Sequence, residues 1–533
     1  MSKAREAALR WVDGHSGDLS EGCSTIWNYG ETAWREYKSA RWYVDRLRAE
    51  GFEVEEGSGG MPTAFAATFG SGKGPVIAGY AEYDGVPGNC QAATTREEAR
   101  AGLSPHAGGH TDPHSALGMG ALGGFLAAKA AMQDHGLKGT LKFFGEPAEK
   151  VRGSKPIHAA RGYYDGIDAF ISFHPAYILP LSNTVLWDTH CGASYSAIYS
   201  FHCDEPENWL AAPDDSPIIQ AHSAARAPGA TDALVTMYNL TKMKLASSLP
   251  FSGGWTLSEA ILTAGQATAD NLPAGLAQIQ YLCRVSDYGQ AEQVFRVLDQ
   301  NAEAAASATH CRWERHWVCK SREGLPNHAM AKLTYRNLCE VGGPVLGEEA
   351  IAVAREIQSN LGLAPMDKPF MEACEDLIEP EEAERIRRQG LPPSQRNSTS
   401  DDYTEMCWHA PTVRLYIGRP MLKGPPGYRY PGWAMNALGG IPATIDPTVL
   451  CAAKVIGLTV VDLLSDGKTL AAASREFEAR TGGGIGGANW IPPLCDYEPP
   501  IHFRWPEYVT TERGEEWWIP AMRSDACPRL SAA

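Results

Sequence analysis

Between residues 75 and 175 short apolar runs alternate with helical stretches, and each run ends in side chains able to bind metal or move protons. "PVIAGYAEYDGVPG" is a buried strand whose closing turn carries Glu82 and Asp84. "SALGMGALGGFLAAKAAMQDHG" is a helix of small residues stopped by a glycine, and "LKFF" opens a strand over 140–145 that runs into a turn presenting Glu146, Glu149 and Lys150. A helix is expected near 154–162, then a strand over 167–174 in "GIDAFISFH". Strands alternating with helices in this way imply an α/β sheet with mainly parallel pairing, and ligands of such sheets gather beyond the carboxyl ends of the strands.

Around this stretch the periodicity divides the chain. Residues 24–50 carry Trp34, Tyr37, Trp42 and Leu47 at helical spacing, Gly51 stops the helix, and "FEVEEG" alternates like a strand. From 194 the pattern changes. "ASYSAIYSFHC" and "GLAQIQYLCRVSD" alternate, while 229–246 and "QAEQVFRVLDQNAEAAASATHC" read as helices, which fits a β-α-β-β-α-β-like insert of some 135 residues. Helical pattern returns in "LPNHAMAKLTYRNLCEVGG", "PTVRLYIG" is a further core strand, and "PTVLCAAKVIGLTVVDLLSDG" is an apolar helix. The last 50 residues, rich in Pro and Trp, read as an extended strap. The expected division is 1–193 and 329–485 for one domain in two parts, 194–328 for the insert and 486–533 for the strap.

Composition removes some classes of function. A net charge of −16 argues against a nucleic-acid partner and gives no support to an anionic membrane surface. No run of 18 apolar residues occurs, and the thirteen scattered cysteines form no CxxC pair, so reduced thiols in a cytoplasmic protein are expected.

The chemistry concentrates in "HAGGHTDPHSALGMG", which holds His106, His110, Asp112 and His114. Asp-x-His lets two side chains project from one loop toward a single ion; a polar loop capping the next helix explains the same residues without an ion. His174 in "SFHP" ends a separate strand. What favours a site is convergence: Glu82, Asp84, Asp112, His114, Glu149 and His174 all fall at carboxyl ends of expected strands or in the loops that follow. Imidazole and carboxylate together suit Zn or Mn.

The series "TIWNYGETAWREYKSARW", "GFEVEEGSGGMPTAF", "AEYDGVPG", "GHTDPHSALGMGALGG", "FFGEPAEKVRGSK", "FISFHP", "HSAARAPGATDALV", "LPNHAMAKLTYRNLCEVGG", "PTVRLYIG" and "FEARTGGG" resembles, in order and over nearly the whole chain, metallopeptidase family M-20. That family contains aminoacylase, carboxypeptidase G and the auxin-conjugate amidohydrolases, and the branch most similar here is the aminobenzoyl-glutamate hydrolase B-subunit type. The resemblance implies an α/β, zinc-exopeptidase-like catalytic domain with a mixed sheet flanked by helices. It also implies that the insert is an α+β lid and dimerisation domain, and hence a homodimer.

Members usually hold two metals bridged by one carboxylate or thiolate. Carried over position by position, Asp112 stands where the auxin-conjugate branch has its bridging cysteine, and His114 and His174 match ligand histidines. Glu149 matches the glutamate that activates water. The second glutamate of that pair is Lys150 here, and the C-terminal "PGH" reads "PGW", placing Trp433 at the remaining ligand position. Both departures strike the same metal. The resemblance therefore implies one divalent ion per chain, Zn or Mn, on Asp112, His114 and His174. The Lys150 ammonium would then replace part of the lost positive field, unless it turns to solvent. Trp433 would offer a stacking plane or simply fill core. In the insert, His222 matches a histidine that reaches the partner's active site, Asn271 falls near the family's N-x-x-P with a spacing one residue shorter, and Arg284 matches a frequent arginine that an ordinary ion pair explains equally.

The expected activity is hydrolysis of a C–N bond in a small, aromatic, polar substrate, by amide cleavage or deamination, with Glu149 as general base. Two alternatives stand beside it. One is a two-metal peptidase in which Glu82 or His110 completes the second site; the other is a non-catalytic partner subunit.

Overall fold

The computed structural model describes residues 2–70, 72–204, 228–245, 255–265, 273–501, 507–511 and 514–518. Its strands, in chain order, are β1 (Glu53–Glu56), β2 (Phe65–Gly70), β3 (Val76–Ala81), β4 (Thr140–Gly145), β5 (Ala169–Pro175), β6 (Thr184–Val185), β7 (Ala193–His202), β8 (Thr256–Thr263), β9 (Leu276–Val285), β10 (Arg312–Ser321), β11 (Thr412–Ile417), β12 (Glu507–Thr511) and β13 (Gly514–Trp518).

Seven strands form the larger sheet in the order β1-β2-β4-β3-β5-β11-β6. Its centre is parallel, β4 with β3, β3 with β5 and β5 with β11, whereas β1, β2 and β6 pair antiparallel at the edges. The sheet is thus mixed, as the fold class anticipated, and less parallel than helix–strand alternation alone implied. The parallel centre matters for function, because β3, β4, β5 and β11 all deliver their carboxyl ends to one edge of the sheet.

The core is built where helix His114–His135 packs along helix Pro442–Ser465 and against β3. Its glycines permit that closeness: a Cβ on Gly124 would lie 2.5 Å from Ile456 Cγ2. Both helices are long and apolar enough to cross a membrane, yet they are mostly buried among the protein's own elements. Nine of the twelve described cysteines are buried.

One expected helix is two. The 24–50 stretch separates into Ser16–Tyr29 and Tyr37–Ala49. Gly30 ends the first with φ +51 and returns its N–H to Ile26, and the chain then bridges to the β3 loop through Gly85 N–H and Glu31 O. Buried Trp34, at φ 64, continues the break that helical periodicity concealed.

The second sheet, β10-β7-β9-β8, is antiparallel, with helices Ala230–Leu245 and Tyr288–Ala308 packed on it. Its connectivity is β-α-β-β-α-β, and Tyr195, Ala197, Tyr199 and Phe201 of β7 fill the core beneath those helices. The segment after 485 runs in extended form across the junction: Trp490 Nε1 donates to Trp408 O at 2.6 Å, and Tyr497 accepts from Lys320 N at 2.9 Å.

Candidate metal centre

Glu82 and Asp84 follow β3 directly, Asp112 and His114 lie at the start of the 114–135 helix, and His174 is the next-to-last residue of β5. Glu149 and Lys150 sit in a tight turn after β4, flanked by Ala148 and Arg152 in left-handed conformations, φ 58 and 59. That turn folds Arg152 back so that its Nη1 meets Glu149 Oε1 at 2.7 Å.

The side chains converge on His114 Nε2. Around it stand Lys150 Nζ at 2.9 Å, Glu82 Oε2 at 3.2 Å, Glu149 Oε2 at 3.5 Å and Asp112 Oδ2 at 3.8 Å. Three carboxylate oxygens about one imidazole nitrogen need positive charge between them. Part of it comes from Lys150, whose Nζ donates to Asp112 Oδ1 at 2.5 Å. Further in, Lys155 Nζ bridges Glu82 Oε1 at 2.8 Å and Asp402 Oδ1 at 2.7 Å, all three fully buried. Along this connected set five carboxylates (Glu82, Asp84, Asp112, Glu149, Asp402) face three basic side chains (Lys150, Arg152, Lys155).

Titration follows the same imbalance. Burial opposes a charge on Asp112, but Lys150 and then His114 and His174 hold its carboxyl well below the usual range. Glu149 is likewise pulled down against burial by Arg152 and Lys150. Burial and Lys150 oppose protonation of His114, yet Glu82 and Asp84 outweigh them and raise it to about 9. Burial pushes Glu82 up to about 7 and Asp402 well above the carboxylate range. His174, buried and facing the field of Arg414, is lowered to about 3 and is a neutral imidazole.

The donor set fits one ion. His114 Nδ1 is tied to Asp84 Oδ1 at 2.7 Å and His174 Nδ1 to Pro175 O at 2.7 Å, outer partners that turn each Nε2 toward a common point. Asp112 Oδ2 lies 3.8 Å from the first Nε2 and 3.6 Å from the second. A tetrahedral ion with bonds near 2.1 Å needs donors about 3.4 Å apart. Beside these donors Lys150 places an ammonium against Asp112 Oδ1, while Asp84, His114 and Glu149, and Glu82, Asp401 and Asp402, form two further groups of possible ligands.

The other expected residues are spread more widely. Trp433 is half-buried at the start of helix Gly432–Leu438 and packs against the cluster of Leu346, Phe370 and Leu422. Arg284, exposed on β9, lies near enough to Arg152 and Glu149 to feel both charges. His222 and Asn271 lie outside the described residues. His110 is buried with Nε2 3.3 Å from Ile26 O, and His106 is exposed on the same loop. Arg152, Lys155 and Asp402 were not anticipated. Lys155 falls in the helix expected near 154–162 and "TSDDY" drew no reading, and only the observation that they follow or approach core strands could have marked them. Glu146, also at the end of β4, serves elsewhere: it accepts from Tyr164 and pairs with His158, both at 2.7 Å.

No protein-family model matches the chain. Among curated proteins it is 27% identical over 341 residues to the p-aminobenzoyl-glutamate hydrolase B-subunit of Escherichia coli (strain K12), covering 63% of this chain and 65% of that one. It is 31% identical over 153 residues to thermostable carboxypeptidase 1 of Saccharolobus solfataricus, 28% of this chain and 37% of the relative. The matches thus span less than two thirds of either relative. Among solved structures, the aminobenzoyl-glutamate utilization protein from Klebsiella pneumoniae superposes with a TM-score of 0.54 at 13% identity, over 85% of this chain and 97% of that one. A protein from methicillin-resistant Staphylococcus aureus, assigned as an aminohydrolase, does so with a TM-score of 0.52 at 14% identity, over 86% and 100%. The resemblance drawn from the motifs is matched by a relative: the chain is a homologue of the p-aminobenzoyl-glutamate hydrolase B-subunit, and its mixed-sheet α/β fold is that of the aminobenzoyl-glutamate utilization protein.

Proposed function

We propose that the chain is a metal-dependent hydrolase of a C–N bond in a small aromatic substrate, working with one divalent ion, Zn or Mn. The observation that carries this reading is the convergence of His114 Nε2, His174 Nε2 and Asp112 Oδ2 beside Glu149, with the Lys150 ammonium against Asp112 Oδ1. The bound ion would supply Lewis-acid polarisation of the scissile carbonyl and acidify the attacking water. Glu149 takes the proton of that water as its oxygen attacks the carbonyl carbon, then delivers it to the nitrogen as the C–N bond breaks. Arg152 fixes the Glu149 carboxylate by one oxygen and leaves Oε2 turned to the centre. The Lys150 ammonium lies 3.6 Å from that oxygen and offers a fixed positive charge to the developing oxyanion.

The name of the Escherichia coli relative points to an amide between an aminobenzoyl group and an amino acid as the substrate class. Ring deamination by the same water is the second form of this reading, favoured by the aminohydrolase assignment of one neighbour in fold. The Escherichia coli relative is also one part of a larger enzyme by its name, so assembly belongs to the proposal: a homodimer through residues 194–328, with a hetero-complex as the rival.

The test is metal content per chain by elemental mass spectrometry, together with hydrolysis of p-aminobenzoyl-glutamate by wild type and Glu149→Gln. One ion per chain is expected, with turnover lowered by about 10²–10⁴-fold in the variant at unchanged metal content. Two ions per chain overturn the single-ion reading. An inert wild type that carries no metal after incubation with Zn or Mn moves the chain to the non-catalytic alternative.

A further inference from the structure

The ligand set read from the motifs ends at three residues, yet a fourth side chain is built in the same manner. In His114, His174 and Asp112 the atom far from the centre is tied down: Nδ1 by Asp84, Nδ1 by Pro175 O and Oδ1 by Lys150, at 2.7, 2.7 and 2.5 Å. The near atom of each is left facing the others. Glu82 repeats this arrangement. Its Oε1 forms an ion pair with buried Lys155 at 2.8 Å, which Asp402 holds from the other side at 2.7 Å. Its Oε2 has no hydrogen-bond partner, is fully buried, and lies 3.2 Å from His114 Nε2. Ligand atoms of Glu82, His114 and His174 all fall within 4.8 Å of one another.

We propose that Glu82 is a fourth protein ligand of the ion held by Asp112, His114 and His174, an inference that rests on the single-ion reading above. A buried carboxylate oxygen without a hydrogen bond is costly, and it lies 3.2 Å from His114 Nε2, the other nitrogen of that ring being engaged by Asp84. A cation between them removes that cost. Two imidazoles and two carboxylates bind a divalent ion as a neutral unit, and Lys155 acts as the positioning residue that keeps Glu82 from swinging away. Glu149, whose other oxygen is held by Arg152, keeps its role as general base in this arrangement.

The experiment uses the full chain loaded with Zn. Zinc per chain and its dissociation constant, from chelator competition, are measured for wild type, Glu82→Gln and Glu82→Asp, with circular dichroism to confirm folding. An anomalous difference map of wild-type crystals locates the ion. Glu82→Gln is expected to weaken zinc by more than the about 10–100-fold loss typical of an outer partner, and Glu82→Asp to fall between, with Lys155 still paired. In the map Glu82 Oε2 lies within about 2.0–2.2 Å of zinc. A folded Glu82→Gln that binds zinc like wild type, or an ion beyond about 3 Å from Oε2, overturns the proposal and leaves the single-ion reading standing. Wild type that binds no zinc overturns both.

Discussion

At Lys150 an ammonium stands 2.5 Å from Asp112 Oδ1 and 2.9 Å from His114 Nε2. If Asp112 and His114 hold the proposed ion, a fixed positive charge so close to both repels that ion while serving the transition state. Lys150→Gln should therefore tighten metal binding, read by chelator competition, and lower kcat by about 10–10³-fold. A variant with weaker metal binding would contradict this account of the lysine. The neighbouring positions show how unevenly a site is written in sequence. Asp112, His114, Glu149 and His174 are legible because their motifs place them at strand ends. Lys155 and Asp402, equally buried, are not, because nothing in "GSKP" or "SDDY" distinguishes an interior ion pair from a solvated one.

Among the elements, the 114–135 helix owes its place to its glycines. With a Cβ at 124 only 2.5 Å from Ile456 Cγ2, Gly124→Val overpacks the seam with the 442–465 helix, and we expect about 1–3 kcal/mol of destabilisation in urea unfolding, largely relieved by Ile456→Ala. The break between the first helices carries a pH dependence. Glu36, at the start of helix Tyr37–Ala49, is fully buried, with its oxygens accepting from Thr63 Oγ1 at 3.0 Å and Ala148 N at 2.7 Å. Burial, and then Asp84, raise its carboxyl from 4.5 to about 8. The folded chain thus holds a proton that the unfolded chain gives up, so this group's contribution to stability is complete below pH 4.5 and is lost as pH rises toward about 8. Chemical denaturation across that range should show a falling stability that Glu36→Gln flattens; an equal slope in both proteins would rule Glu36 out as its source.

At the scale of the whole molecule, the joint between the two sheets is a buried ion pair. Arg322, just past β10, binds Glu405 through Nε at 2.9 Å and Nη2 at 2.5 Å, while its Nη1 donates to Ile491 O of the strap at 2.7 Å. Removing one partner leaves the other charge buried and alone, so Glu405→Ala should cost about 3–5 kcal/mol in chemical denaturation, and Arg322→Met with Glu405→Leu should recover much of it. The alternation of strands and helices, the β-α-β-β-α-β insert and the order of the site motifs were all present in the sequence by itself, because periodicity and strand-end chemistry are local properties. Three things were decided only by tertiary structure: the break at Gly30 within one continuous helical pattern, the antiparallel edges of the large sheet, and the buried lysine and arginine that balance the metal centre. The reason is the same for each. Chain direction at an edge, a bridge from Glu31 to Gly85 and a lysine shared between Glu82 and Asp402 join residues far apart in the chain, and their energies exist only once folding has removed the water between them.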